Sequence, residues 1–220
     1  MLRVSALLWV TSFPHQPVTR NKYGTRNESI FTTNNIQYPP CTSMLTFSPL
    51  PGPGCSIATG GATLLVFAAD RKPGDGKKTL ALLSSPEEES NAGSISWPGE
   101  YNELGASIRG IGHKEGQQVS YLIDADGTRV LCVSQPLEEW PEHDIEAVGD
   151  ADVLVAPVTE SKFLQKLIDE IDPRVLILLP AKGGTDSIMK ALGAKGETVD
   201  EYKLKGRLTA EGREVVVLAD

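Results

Sequence analysis

Apolar positions along most of this chain fall in short runs rather than at helical spacing. Leu45 to Phe47, Ser56 to Thr59 and Thr63 to Ala68 are brief apolar or alternating runs separated by PLPGPG and TGG, which is strong turn chemistry, so each predicts a strand. Leu80 to Leu83 is too short and too uniformly apolar for an amphipathic helix, and Pro86 in the next loop ends any pairing. Ser94 to Trp97, Tyr101 to Leu104, Ser107 to Ile111 and Val119 to Asp124 continue the pattern. The last is joined to Thr128 to Val133 through Asp126-Gly127, a tight-hairpin signal.

The period then changes. Glu138 to Val148 predicts a helix and Val153 to Pro157 a buried strand. Ser161 to Ile171 is amphipathic, with Phe163, Leu164, Leu167, Ile168 and Ile171 on one face. Val175 to Leu179 predicts a second buried strand, and Thr185 to Leu192 a helix with Thr185 as N-cap and Gly193 as its stop. Glu214 to Leu218 closes the series as a strand. A strand-rich first half followed by an α/β second half predicts an α/β, four-layer αββα sandwich, two sheets face to face with helices outside.

Residues 1–43 read differently, being rich in Thr, Asn, Pro and Arg without a sustained period. The expectation is a disordered leader or a mis-called start, with the folded domain at 44–220. Charge divides the same way. Arg3, Arg20, Lys22 and Arg26 against Glu28 give the first segment +3, which leaves −11 of the overall −8 on residues 44–220. An acidic body argues against nucleic acid and anionic membrane as partners. No stretch approaches the roughly 20 apolar residues of a membrane span. Cys41, Cys55 and Cys132 have no CxxC spacing and fit a reducing, cytoplasmic setting.

The candidate chemistry lies where the Leu80 to Leu83 strand stops in a small acidic loop, SSPEEESN, since loops leaving the carboxyl ends of buried strands are where α/β proteins bind ligands. Glu87, Glu88 and Glu89 admit two readings: a solvated, mutually repelling loop, or oxygen donors for a hard cation such as Mg²⁺ or Ca²⁺. WPGEY, Trp97 to Tyr101, explains itself as a Pro-Gly turn, with Glu100 and Tyr101 able to face a cleft.

LLSSPEEESN, WPGEY, ASIRGIG from Ala106 and the later strand-helix order together resemble the metallo-β-lactamase-fold hydrolases, most closely the small bacterial zinc-dependent branch that carries a PGEY segment. The resemblance implies a strand running into an HxHxDH loop. Ser85, Glu87, Glu89 and Ser90 stand at the positions of its His, His, Asp and His, and Asn91 at the Asn that follows. It also implies a bridging Gly-Asp after RVLCV, where this chain has Ser134-Gln135, and a final His where it has Pro180.

A two-zinc site requires imidazoles and a bridging carboxylate, and such hydrolases use roughly five His. This chain has three, His15, His113 and His143. His113, after RGIG, is read as a solvated loop side chain, with a residual ligand role as the other reading. His143, between Glu142 and Asp144, is read as solvent-facing on a helix. The expectation is therefore a degenerate metal site with no zinc, and a non-catalytic pseudoenzyme that binds or scaffolds a protein or small-molecule partner, alone or as a homo-oligomer. The alternative is a hydrolase with altered metal use, Mg, Ca or Mn held by Glu87 to Glu89.

Overall fold

The computed structural model describes residues 44–68, 78–89, 93–158, 161–179, 189–190, 196–205, 208 and 212–219. Among these, fourteen strands form two mixed sheets. The first has the order β13-β1-β2-β3-β4-β5, from β1 (Met44–Pro49), β2 (Cys55–Ala58), β3 (Ala62–Val66), β4 (Lys78–Leu82), β5 (Ser94–Ile95) and β13 (Tyr202–Lys205). The second runs β12-β14-β11-β10-β9-β8-β7-β6. Its members are β6 (Gly99–Glu103), β7 (Ala106–His113), β8 (Gln118–Ala125), β9 (Thr128–Cys132), β10 (Val153–Pro157), β11 (Val175–Leu179), β12 (Glu197–Val199) and β14 (Glu214–Leu218).

The burial pattern explains the layering. In β3, Ala62, Leu64 and Val66 are buried while Thr63 and Leu65 between them are half-buried, so one face of the first sheet enters the core. It meets Ile108, Tyr121, Ile123, Val130, Val155 and Ile177 from the second sheet in one hydrophobic cluster. β10 and β11 pair in parallel and are buried at every position, the coverage on both faces that parallel strands need. Their far face carries Leu154, Leu176 and Leu178 against Leu164, Leu167, Ile168 and Ile171 of α2 (Ser161–Ile171), the apolar stripe expected from its spacing. Two face-to-face sheets with helices outside are as predicted, and both described α-helices cover the eight-stranded sheet.

α1 is shorter than expected, Glu142–Val148 rather than a start at Glu138. Pro141 stands at its N-cap with ψ 148°, and a proline disfavours helical backbone at the residue before it, so Trp140 stays outside the helix. β12 and β13 were not expected. Only Leu204 of YKLK is buried, too sparse a signal for a strand, yet β13 pairs with β1 along Met44 to Phe47. The Asp126-Gly127 hairpin is as read, both residues having positive φ. Most of the helix expected over Thr185 to Leu192 lies outside the described residues, of which Met189 and Lys190 are helical.

Candidate functional site

The loop after β4 is tied at several points. The fully buried Tyr121 hydroxyl lies 2.7 Å from the Leu83 carbonyl and 2.9 Å from that of Ile95, sharing its proton between them. Burial pushes this phenol well above its ordinary pKa and keeps it a neutral donor. Val119 N–H donates to the Ser84 carbonyl at 2.9 Å. Further along, Glu87 N–H donates to Ser96 Oγ at 3.2 Å, and Trp97 Nε1 donates to the Glu87 carbonyl at 2.9 Å.

The WPGEY turn is structural in the way its Pro-Gly suggested. Tyr101 donates from its hydroxyl to the Trp97 carbonyl at 2.9 Å, and Glu100 is exposed. Trp97 and Pro98 lie directly over Gly110 and Gly112 of β7. A Cβ on Gly110 would stand 2.8 Å from the Trp97 carbonyl oxygen, and one on Gly112 2.7 Å from Pro98 Cγ. Two glycines two residues apart leave one face of β7 bare for the turn to rest on.

On the other face of β7 and β8 is a buried polar network. Ile111 and Leu122 face the helices, and so do His113, Gln118 and Ser120. His113 Nε2 is 3.1 Å from Ser120 Oγ, which is 3.1 Å from Ser134 Oγ and accepts Ser134 N–H at 3.1 Å. Gln118 Nε2 donates to Ser134 Oγ at 2.8 Å and to the Pro136 carbonyl at 3.0 Å. The His113 ring packs against Trp140 with centroids 4.4 Å apart and planes tilted by 40°, and its Nδ1 is 3.7 Å from Asp144 Oδ2. Burial lowers the His113 pKa, against the opposing pull of Asp144 and Glu138, so the neutral ring is favoured.

His113 is thus corrected. It is not a solvated loop residue: its side chain is 12% exposed and both ring nitrogens face partners. His143 is solvent-facing as read, at 79%. Ser120, His113 and Asp144 stand in the order of a Ser-His-Asp relay. Ser120 is nevertheless fully buried and its oxygen is already bonded to the Ser134 N–H, which makes it a satisfied core hydroxyl rather than a nucleophile.

The expected site residues are placed as follows. Ser85 and Glu89 are exposed and Glu87 half-buried in the loop after β4, while Gln135 is half-buried in the turn after β9. Ser90 and Pro180 lie outside the described residues. Both the loop and the turn dock on the start of β8, the first through Ser84 to Val119 and the second through Gln118 to Ser134 and Pro136. Among the described residues no three His, Cys, Asp or Glu side chains come together to hold a metal. Ser85, Glu87, Glu89 and Gln135 present hydroxyl, carboxylate and amide oxygens, with no imidazole or thiolate among them.

No protein-family model matches the sequence, and no curated protein does. Solved structures do match. A Thermotoga maritima protein described as a zinc-dependent hydrolase of the metallo-β-lactamase superfamily aligns at TM-score 0.65 and 19% identity, over 79% of this chain and 98% of its own. The fold is the metallo-β-lactamase fold. A protein from Parabacteroides distasonis described as a metal-dependent hydrolase aligns at TM-score 0.56 and 15% identity, over 80% of this chain and 93% of its own. The metallo-β-lactamase-fold protein YhfI of Bacillus subtilis aligns at 0.55 and 13%, over 75% and 100%. At these identities the likeness concerns architecture, and activity has to be argued from the side chains.

The Gln118, Ser120, Ser134 and Trp140 group was not singled out from sequence. A signal was present: Gln118 and Ser120 are polar residues at alternate positions in the buried first half of β8, and a buried polar residue needs a partner.

Proposed function

We propose that this chain is a metallo-β-lactamase-fold protein that has given up zinc-dependent hydrolysis and acts as a cytoplasmic binding or scaffolding module. Its partner is a protein or a small molecule, since the acidic body argues against nucleic acid and anionic membrane. The observation that carries the reading is the position of His113. It faces the helices, on the side of β7 away from the Trp97–Pro98 turn, with Nε2 at hydrogen-bond distance from Ser120 Oγ and the ring covered by Trp140. The loop positions Ser85, Glu87 and Glu89 and the turn position Gln135 offer oxygen alone. No described helix is long and apolar enough to cross a membrane.

Metal analysis of the purified protein, with calorimetric titration of Zn²⁺, Mn²⁺, Mg²⁺ and Ca²⁺, tests this. The expected result is no zinc retained through dialysis and no site tighter than about 10 µM for any of the four. Two tightly held zinc ions would overturn the reading. Micromolar Mg²⁺, Ca²⁺ or Mn²⁺ binding that disappears in Glu87→Gln with Glu89→Gln would replace it with a hydrolase of altered metal use.

A further inference from the structure

Beside the His113 network is a cavity of about 340 Å³, between the end of β7 and the segment that follows β9. Its size falls in the range of small-molecule sites, and its walls combine an aromatic surface with carboxylates. Trp140 and His113 supply the packed rings, Pro136 and Pro141 supply apolar surface, and Asp144 and Glu138 supply charge.

Asp144 is the informative member. Its side chain is 18% exposed, yet its carboxylate takes no hydrogen bond from a described side chain. The imidazole nitrogens facing its two oxygens, 3.7 Å away on His113 and 3.4 Å away on the exposed His143, are long contacts that pair the carboxylate only weakly. A carboxylate largely withdrawn from water and left with open acceptor positions is costly unless something fills them. The wall contains one permanent cation, Lys114, and it is committed to Glu138 at 2.8 Å. Glu139, also on the wall, is paired with Lys166 at 2.6 Å from outside it. Asp144 and Glu115 therefore leave the cavity anionic, which rejects an anionic ligand and disfavours a purely apolar one.

We propose that this cavity binds a small organic cation, an ammonium or guanidinium group directed at Asp144 with its carbon portion against Trp140 and His113. A planar guanidinium satisfies both requirements at once, since it donates a fork of N–H groups to a carboxylate and lies flat on an aromatic ring. The same chemistry is presented by a free guanidino amine or by an arginine side chain of another protein. The site is separate from the loop after β4 and stands whether or not that loop holds a cation.

The test is titration of the full chain with agmatine, with Nα-acetylarginine amide and with neutral butylurea, following the indole N–H signals of Trp140 and Trp97 by NMR. Agmatine is expected to move the Trp140 signal with a dissociation constant of about 1 mM or tighter, to leave Trp97 in place, and to bind about tenfold more weakly to Asp144→Asn. A response to the arginine amide but not to agmatine supports the same site with a protein side chain as its occupant. Equal binding of butylurea, unchanged binding in Asp144→Asn, movement of Trp97 instead of Trp140, or no binding of either cation at 10-fold above the expected constant overturns the proposal. The comparison of charged with neutral probe uses the unaltered protein and holds even if Asp144→Asn fails to fold; Glu138→Gln, expected to weaken agmatine about threefold, is the second variant.

Discussion

His113 shows how one residue changes meaning between chain and fold. As the last residue of β7 on the helix-facing side, it is removed from water by Trp140 and held by Ser120. Burial lowers its pKa below the ordinary 6.5 while the unfolded chain keeps that value. The unfolded state therefore binds more protons in the window just below pH 6.5. The contribution of neutral His113 to stability is complete above 6.5 and is lost as pH falls toward its folded pKa. Urea unfolding at pH 7.5 and 5.0 is expected to show a larger loss in the natural protein than in His113→Gln, and an equal loss in both would exclude the burial argument. Ser120→Ala removes the acceptor of the buried Ser134 N–H and is expected to cost about 1–3 kcal/mol by chemical denaturation, the usual penalty for an orphaned buried donor. Ser120→Cys, which keeps a weak acceptor, is expected to cost less.

Between elements, the WPGEY turn and the GIG of β7 form a matched pair. Pro-Gly was legible as a turn because each residue restricts or frees the backbone on its own. That Gly110 and Gly112 are the seat on which the turn rests was not legible, since close approach is a property of two segments. Gly112→Ala is expected to lift Pro98 from the strand and cost about 1–3 kcal/mol, as overpacking does, with a change in Trp97 fluorescence. A variant with unchanged emission and stability would show that the turn can shift freely. Helix α1 teaches a similar lesson. Its apolar spacing extends back to Glu138, but Pro141 sets the start, so Trp140 becomes the lid on His113 instead of a helical residue.

At the scale of the molecule, the two sheets meet through an apolar core that a buried hydroxyl spans. Tyr121, from the eight-stranded sheet, reaches the carbonyls of Leu83 and Ile95 at the edge of the other. At the surface, Tyr202 on β13 donates to the exposed carboxylate of Glu214 on β14 at 2.8 Å. Tyr121→Phe leaves the packing volume intact and is expected to cost about 1–3 kcal/mol, with faster amide exchange in Leu83 to Glu89, because the carbonyls lose a buried donor. Exchange unchanged in that loop would mean that Val119 and Trp97 suffice to hold it. The structural relatives share this two-sheet frame at under 20% identity, as expected when a fold is specified by the order and burial of its strands rather than by particular side chains.

The chain alone determined the order of most strands, the apolar stripe of α2 and the doubly buried β10 and β11, because each follows from local periodicity and the need to cover apolar surface. It also set the supply of imidazoles at three, fewer than the roughly five that the resemblance implies. Only the tertiary structure decided which face of β7 His113 occupies, that Ser120 meets its Nε2 and is itself bonded to Ser134, and that Asp144 lines a cavity beside the His113 ring. Those relations join residues up to 31 positions apart, from His113 to Asp144, and their energies depend on distance and burial, which no spacing along a chain expresses.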